Sequence, residues 1–236
     1  MHNRYLIPLL IAKNLQHWLR QAVLVFVLAS LLACLLLRWL PALTSGVMVY
    51  RHWQDLTSGQ PFQAIDYRWV SSKQMSPHAG LAVIASEDQQ FFHHHGFDFT
   101  AISASLAVYG NGGRLRGAST ISQQVAKNLF LTPSRSFIRK VLEAWFTVLL
   151  ELLWDKPRIL EMYLNIAEFG NHIFGIEAAS QYYFGISAKQ LSRAQCALLA
   201  AALPNPITHK IAHPSPYLLK RQQWILRQMR NLGDVR

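Results

Sequence analysis

Two adjacent carboxylates, Glu87 and Asp88, sit in the stretch VIASEDQQFFHHHGFD, directly after an apolar run and before aromatic and histidine residues. A carboxylate in apolar company is a candidate general base, because loss of water disfavours its charged form and strengthens its hold on a proton. The same pair would also suit a solvated helix face, and this segment alone does not separate the two. The run His93-His94-His95 invites a metal reading. No cysteine or paired carboxylate stands at ligand spacing, so satisfied or exposed histidines are expected and no metal ligands.

A second feature is cationic. From Arg114 to Lys140 the chain carries Arg114, Arg116, Lys127, Arg135, Arg139 and Lys140 without one carboxylate. Cations unpaired over such a length call for an external anion. Thr120-Ile121-Ser122-Gln123 has the form of a capping box, so a helix N-terminus there adds backbone N–H groups suited to phosphate oxygens. A basic face toward lipid headgroups is the alternative. Third, Arg139, Glu143, Thr147 and Glu151 recur every four residues, a polar stripe on the apolar helix expected over 135–154, with Lys140 on the side of Glu143. The stripe fits a cleft wall or an ordinary Arg139–Glu143 pair facing water. Glu161, Asn165 and Glu168 line one side of the next helix and are expected to hold the fold together.

These residues need helices to position them. Gly80–Phe92, Phe99–Tyr109, Thr120–Leu129, Arg135–Trp154, Ile159–Phe169, Ile173–Phe184, Ser192–Leu203 and Pro216–Asn231 carry helical spacing bounded by Gly, Pro or capping residues, and alternating runs are nearly absent. The expectation is an all-α domain with one core. Residues 44–77 are poorly periodic, with Ser58-Gly59-Gln60-Pro61 reading as a turn or linker. Ahead of them Ala22–Leu37 is 16 residues without a charge; with its edges it makes about 30 Å of helix, the thickness of a bilayer's hydrocarbon core. Arg4, Lys13 and Arg20 precede it and Arg38 and Arg51 come after it, which favours a cytoplasmic N-terminus. A cleaved export signal is the other reading, but no small-x-small site appears before Pro41. The expected organisation is a cytoplasmic 1–20, a transmembrane helix 21–41, a membrane-proximal linker and small-lobe segment 42–77, and a catalytic domain 78–236.

Composition narrows the function. The 236 residues are 51% apolar and 15% charged, with a net charge of +11. Disorder and low-complexity classes are excluded, and an anionic partner is implied. Nucleic acid would suit the charge, but an exported domain lies in the wrong compartment for it. Cys34 and Cys196 are the two cysteines, too few for a disulfide framework or a metal quartet.

The strings SEDQQFFHHHGFD, RGASTISQQVAKNLFL, RKVLEAW, KPRILEMYLNIAEFGNHIFGIEAASQYYFG and LSRAQCALLAAALPNP resemble, in order, the five motif blocks of the peptidoglycan glycosyltransferases, over about residues 80–206. The closing SPYLLKRQQWILRQMRNLG is similar to the end of monofunctional, membrane-anchored members from Gram-negative bacteria. No Ser-x-x-Lys occurs, so a penicillin-binding transpeptidase domain is not expected. The resemblance implies a lysozyme-like, bilobal, mainly helical fold whose smaller lobe is membrane-associated. It implies that Glu87 is the catalytic glutamate and Glu143 the second one. Substrate contacts carried over from the blocks fall on Asp88, Phe91, His94, Ser119, Thr120, Gln123, Gln124, Lys127, Asn128, Arg135, Arg139 and Lys140. Ser122 replaces the commoner Thr, and Gln195 stands where the last block usually has Glu.

The function implied by the resemblance is an inverting polymerisation at the bacterial inner membrane, with the catalytic domain periplasmic. The 4-hydroxyl of a lipid II N-acetylglucosamine, deprotonated by Glu87, would attack the lipid-linked end of the growing glycan strand. Diphosphate leaves readily once neutralised, which accounts for many cations and few carboxylates. Lys127, Arg135 and Lys140 would hold it, with room for a divalent metal, Mg or Mn, as the only cofactor in view. The bilayer and other cell-wall synthases or division proteins are the further partners implied. A lysozyme-like hydrolase would instead need a protonated carboxyl to expel a sugar, and no cluster of phosphate-binding cations.

Overall fold

The computed structural model describes residues 6–59, 61–110, 112–113, 117–134 and 136–233. The chain divides into two units, Met1–Leu40 and Pro41–Arg236. In the first, helix α1 (Leu6–Leu37) includes a 22-residue stretch, Gln16–Leu37, of mean hydropathy 2.3, long and apolar enough to cross a membrane. It begins upstream of the expected residue 21 and stops before Pro41. The Arg38 guanidinium then lies 5.2 Å over the Trp39 ring, a cation–aromatic pairing suited to a membrane interface.

Capping chemistry sets most boundaries of the second unit. Ser45 opens α2 (Gly46–Ser58), Ser76 with Pro77 opens α3 (Pro77–Glu87), and α4 is Phe99–Gly110. Thr120 and Gln123 form the expected capping box of α5 (Ile121–Phe130), and Ser136 caps α6 (Phe137–Leu153). Asp155, with Pro157 in the first turn, opens α7 (Lys156–Ile166); α8 is Ile176–Phe184. Ser192 and Gln195 box the start of α9 (Arg193–Ala202), and Ser215 with Pro216 opens α10 (Pro216–Leu232). Gln195 therefore does the capping work a glutamate would do there, since either side chain can accept from the Ser192 N–H, here at 2.9 Å.

The core is built around α9, whose residues Cys196 to Ala202 are all buried. Its alanines leave room for α3 and α10 to pack closely, while α5 packs on α6, α7 and α2. Three details go beyond the sequence reading, and each has a physical cause. Residues 42–77 are folded with the domain: α2 places Val47 and Met48 against Phe174, with Ile65 and Tyr67 alongside. A small sheet joins β1 (Asp66–Tyr67), β2 (Glu168–Gly170) and β3 (Ile173–Phe174), with β3 central, parallel to β1 and antiparallel to β2. Strands of two or three residues are too short to leave an alternating pattern, so the sheet adds a detail to a fold that is mainly α, as expected. Helix α3 ends at Glu87 instead of running to Phe92, because Asp88 turns away to bond another helix.

Asn165 shows how the sheet side is held. Fully buried, it accepts from the Val70 N–H at 2.9 Å and donates to the carbonyls of Val70 at 2.9 Å and Glu161 at 2.8 Å. Glu161 accepts from the Ser72 N–H and Arg158, and Glu168 takes both arms of Arg51 at 2.8–2.9 Å. Asn165→Leu strands Val70's two backbone groups; unfolding in urea should show a loss of about 2–4 kcal/mol, and a loss under about 1 kcal/mol would contradict this role.

Candidate active site

The carboxylate of Asp88 is the junction of the site. It is 6% exposed, and its oxygens accept from the Ile121 N–H at the start of α5 (3.0 Å) and from His94 Nε2 (3.0 Å). Nδ1 of His94 accepts from the Gly96 N–H at 3.2 Å, so the hydrogen-bond pattern assigns a neutral imidazole carrying its proton on Nε2. Thr120 Oγ1 donates to the Gly96 carbonyl at 2.7 Å. Gly96 has φ +86°, and a Cβ there would come within 2.8 Å of Thr147 and 3.0 Å of Glu151, so only glycine fits. The loop after α3 is thus stapled to the N-terminus of α5.

This staple puts the last residue of α3, Glu87, across from the half-buried face of α5 that carries Gln124, Lys127 and Asn128. Glu87 Oε1 accepts from Ser86 Oγ at 2.9 Å and Oε2 from Gln124 Nε2 at 3.1 Å. Gln124 Oε1 accepts in turn from the Tyr163 hydroxyl at 3.2 Å. Burial first, then the charge of Glu87, pushes the Tyr163 phenol well above its ordinary value, so it stays a proton donor. Each oxygen of Glu87 keeps lone-pair capacity for one more hydrogen.

One turn further along α5 stands Lys127. Burial pushes its ammonium down from the usual lysine value, as do the neighbouring charges of Arg139 and Lys140; Glu143 and, more weakly, Glu87 pull it back up. Among the described residues no hydrogen bond or ion pair engages it. Glu143, 3% exposed, is held by Arg139 at 2.6 Å and Lys140 at 2.5 Å. The Nε of Arg139 is buried with no partner. Glu143 thereby orders two cations beside Lys127, and the group as a whole stays net positive.

Gln124, Lys127, Asn128 and Tyr163 line a pocket of about 140 Å³ with Glu168 and Phe174. Two larger open cavities lie elsewhere, about 790 Å³ beside Tyr50, Trp53 and Phe62 and about 710 Å³ beside His93, Phe97 and Phe99. Size does not locate the chemistry here: the small pocket is the one of these three that holds Lys127 together with Gln124, the hydrogen-bond partner of Glu87.

The residues expected from sequence therefore divide. Glu87, Gln124, Lys127, Asn128, Arg139, Lys140 and Glu143 come together. Asp88, Phe91, Thr120 and Gln123 are buried and His94 nearly so: Phe91 is packed at 0% exposure, and the polar four bond one another and the backbone, so these five stand inside the fold beneath the first group. The N-terminus of α5, expected to receive phosphate, already holds the Asp88 carboxylate. Ser119 is exposed beside this junction. Arg135, Arg114 and Arg116 lie outside the described residues. Among the described residues no group of three or more His, Cys, Asp or Glu could hold a metal. Ser86 and Tyr163 were missed: Ser86 adjoins Glu87 in the chain, but its residue type gives no sign that the hydroxyl turns onto the carboxylate, and Tyr163 reaches Gln124 only once α7 packs on α5.

The profile of the Transglycosylase family matches residues 56–230. Among curated relatives, the biosynthetic peptidoglycan transglycosylase of Chromohalobacter salexigens is 53% identical over 92% of this chain and 95% of its own length. The protein of the same name from Shewanella oneidensis is 51% identical, covering 94% of both chains. That from Haemophilus influenzae is 52% identical over 92% of this chain and 89% of its own.

If Asp88 supports the site from beneath, Asp88→Ala should cost stability, about 2–4 kcal/mol, from the lost cap and the stranded His94. Thermal unfolding should show Asp88→Ala melting well below Glu87→Gln, which should stay within a few degrees of wild type; equal melting points would contradict the division.

Proposed function

Since the chain belongs to the transglycosylase family, as a biosynthetic peptidoglycan glycosyltransferase that builds cell-wall glycan strands, we propose that Glu87 is its general base and that Lys127, Arg139 and Lys140 receive the diphosphate of its lipid-linked substrate. The observation that carries this reading is the desolvated, unpaired ammonium of Lys127, within electrostatic reach of both Glu87 and Glu143. A cation left without a partner away from water is stabilised by an arriving phosphate.

The step balances with these residues alone. Glu87 takes the proton of the 4-hydroxyl on the acceptor N-acetylglucosamine as that oxygen bonds to C1 of the lipid-linked sugar ending the growing strand. The C1–oxygen bond to diphosphate breaks with inversion, and its electron pair leaves on a phosphate oxygen facing the cations. Ser86 and Gln124 fix the carboxylate without exhausting its lone pairs, as a positioned base requires. Glu143 aims Arg139 and Lys140. Both oxygens of Glu143 face cations, and no group of three or more His, Cys, Asp or Glu stands together among the described residues, so these side chains do not by themselves make a seat for a resident Mg or Mn ion.

A substrate of the lipid II type carries a polyprenyl tail, which places the reaction at a bilayer. The single N-terminal apolar helix is consistent with a single-pass anchor. The cations before it support a cytoplasmic N-terminus and a domain on the outer side of the inner membrane. Exposed apolar side chains on α4 (Phe99, Leu106, Tyr109) and α6 (Phe137, Ile138, Leu152) suit contact with the lipid surface.

Two expectations test the reading. Glu87→Gln should cut polymerisation of labelled lipid II by about 10²–10⁴-fold on gels while the protein stays folded; near-normal polymer would refute the base. Lys127 must be charged to bind diphosphate, and its burial-lowered ionisation means affinity fails at lower pH than for an ordinary lysine. KM for lipid II should accordingly rise on the alkaline side in wild type and not in Lys127→Arg, whose guanidinium stays charged; parallel profiles would remove Lys127 from this role.

A further inference from the structure

We infer that Arg221, on the closing helix α10 and outside every motif block, is a positioning residue for Glu87 that acts through Ser86. Its Nη2 donates to the Ser86 carbonyl at 3.0 Å and approaches Ser86 Oγ at 3.5 Å. Its guanidinium is itself steadied 4.4 Å over the Trp224 ring. Ser86 has a single hydroxyl proton and two acceptors in range, Glu87 Oε1 at 2.9 Å and the Ala200 carbonyl at 3.4 Å. An N–H directed at the lone-pair side of Oγ favours the rotamer that sends the proton to Glu87 over the one that sends it to Ala200. The grip on the Ser86 carbonyl also fixes the final turn of α3, where carbonyls lack helical partners and a cation complements the dipole. Glu87 comes directly after Ser86 in the chain, so the aim of its carboxylate depends on a side chain 134 positions away.

The inference rests on Glu87 as the base, so Glu87→Gln is the reference arm of its test. In lipid II polymerisation, Arg221→Gln should lower kcat about tenfold or more, with KM within about twofold of wild type and an unchanged melting temperature. Ser86→Ala, which removes only the hydroxyl, should do the same, and the double variant should be no slower than Ser86→Ala alone, because both changes disable one contact. Wild-type kcat in either single variant, losses that multiply in the double variant, or a loss carried by KM or by melting would overturn the positioning role. If Glu87→Gln keeps its activity, the base assignment falls instead; an inactive Glu87→Gln beside a normal Arg221→Gln sinks only the inference about Arg221. Should Arg221→Gln fail to fold, kcat of Ser86→Ala still decides.

Discussion

A buried carboxylate meeting a helix N-terminus is the joint on which the site depends. Asp88 ends α3 by pointing its side chain at the first N–H of α5, and the neutral His94 and the Gly96 carbonyl complete the connection. Partial positive charge at the helix start and full negative charge on Asp88 attract in a place water does not reach. The consequence is geometric. Glu87 precedes Asp88 by one residue, so fixing Asp88 fixes where Glu87 leaves its helix and which face of α5 it meets. Adjacent acidic residues thus divide the labour, Asp88 built into the scaffold and Glu87 left for the role proposed for it.

Charge is arranged on the same economy. A chain with 23 basic and 12 acidic residues could spread its cations over the surface. Instead Glu143 collects Arg139 and Lys140 beside Lys127, and the whole group retains an excess of positive charge in a partly desolvated place. Leaving such a cluster under-neutralised costs stability in the empty protein. On the proposed reading, an arriving diphosphate would offset that cost, the leaving group's charge developing where cations already stand. Tyr163, kept protonated by burial, supports the opposite end through Gln124 without competing for the reacting proton.

Much of this was legible in the residues alone. The helix starts could be read because Ser, Thr and Asp caps and Pro at the first turn act locally. The grouping of Glu87, Lys127 and Glu143 came from the resemblance to the family, since the polar stripe of α6 by itself fitted a solvated face equally well. What stayed hidden depends on contacts distant in sequence. Asp88, Thr120 and Gln123 look like substrate ligands in a motif, and only packing reveals that their polar atoms are consumed internally. Strands of two or three residues carry no periodic signal, and α2 stood in a segment that read as poorly periodic. Arg221 belongs to the closing helix, and its contact with Ser86 exists only once α10 packs on α3.

The central claim is that one carboxylate takes the acceptor proton while Lys127 and its neighbouring cations hold the leaving diphosphate. The most direct measurement is a crystal structure of the full chain with acceptor and lipid-linked strand analogue bound together. The account predicts diphosphate oxygens at about 2.7–2.9 Å from Lys127 Nζ and the acceptor 4-hydroxyl within hydrogen-bond reach of Glu87. A diphosphate seated away from Lys127, or an acceptor hydroxyl facing some other base, would contradict it.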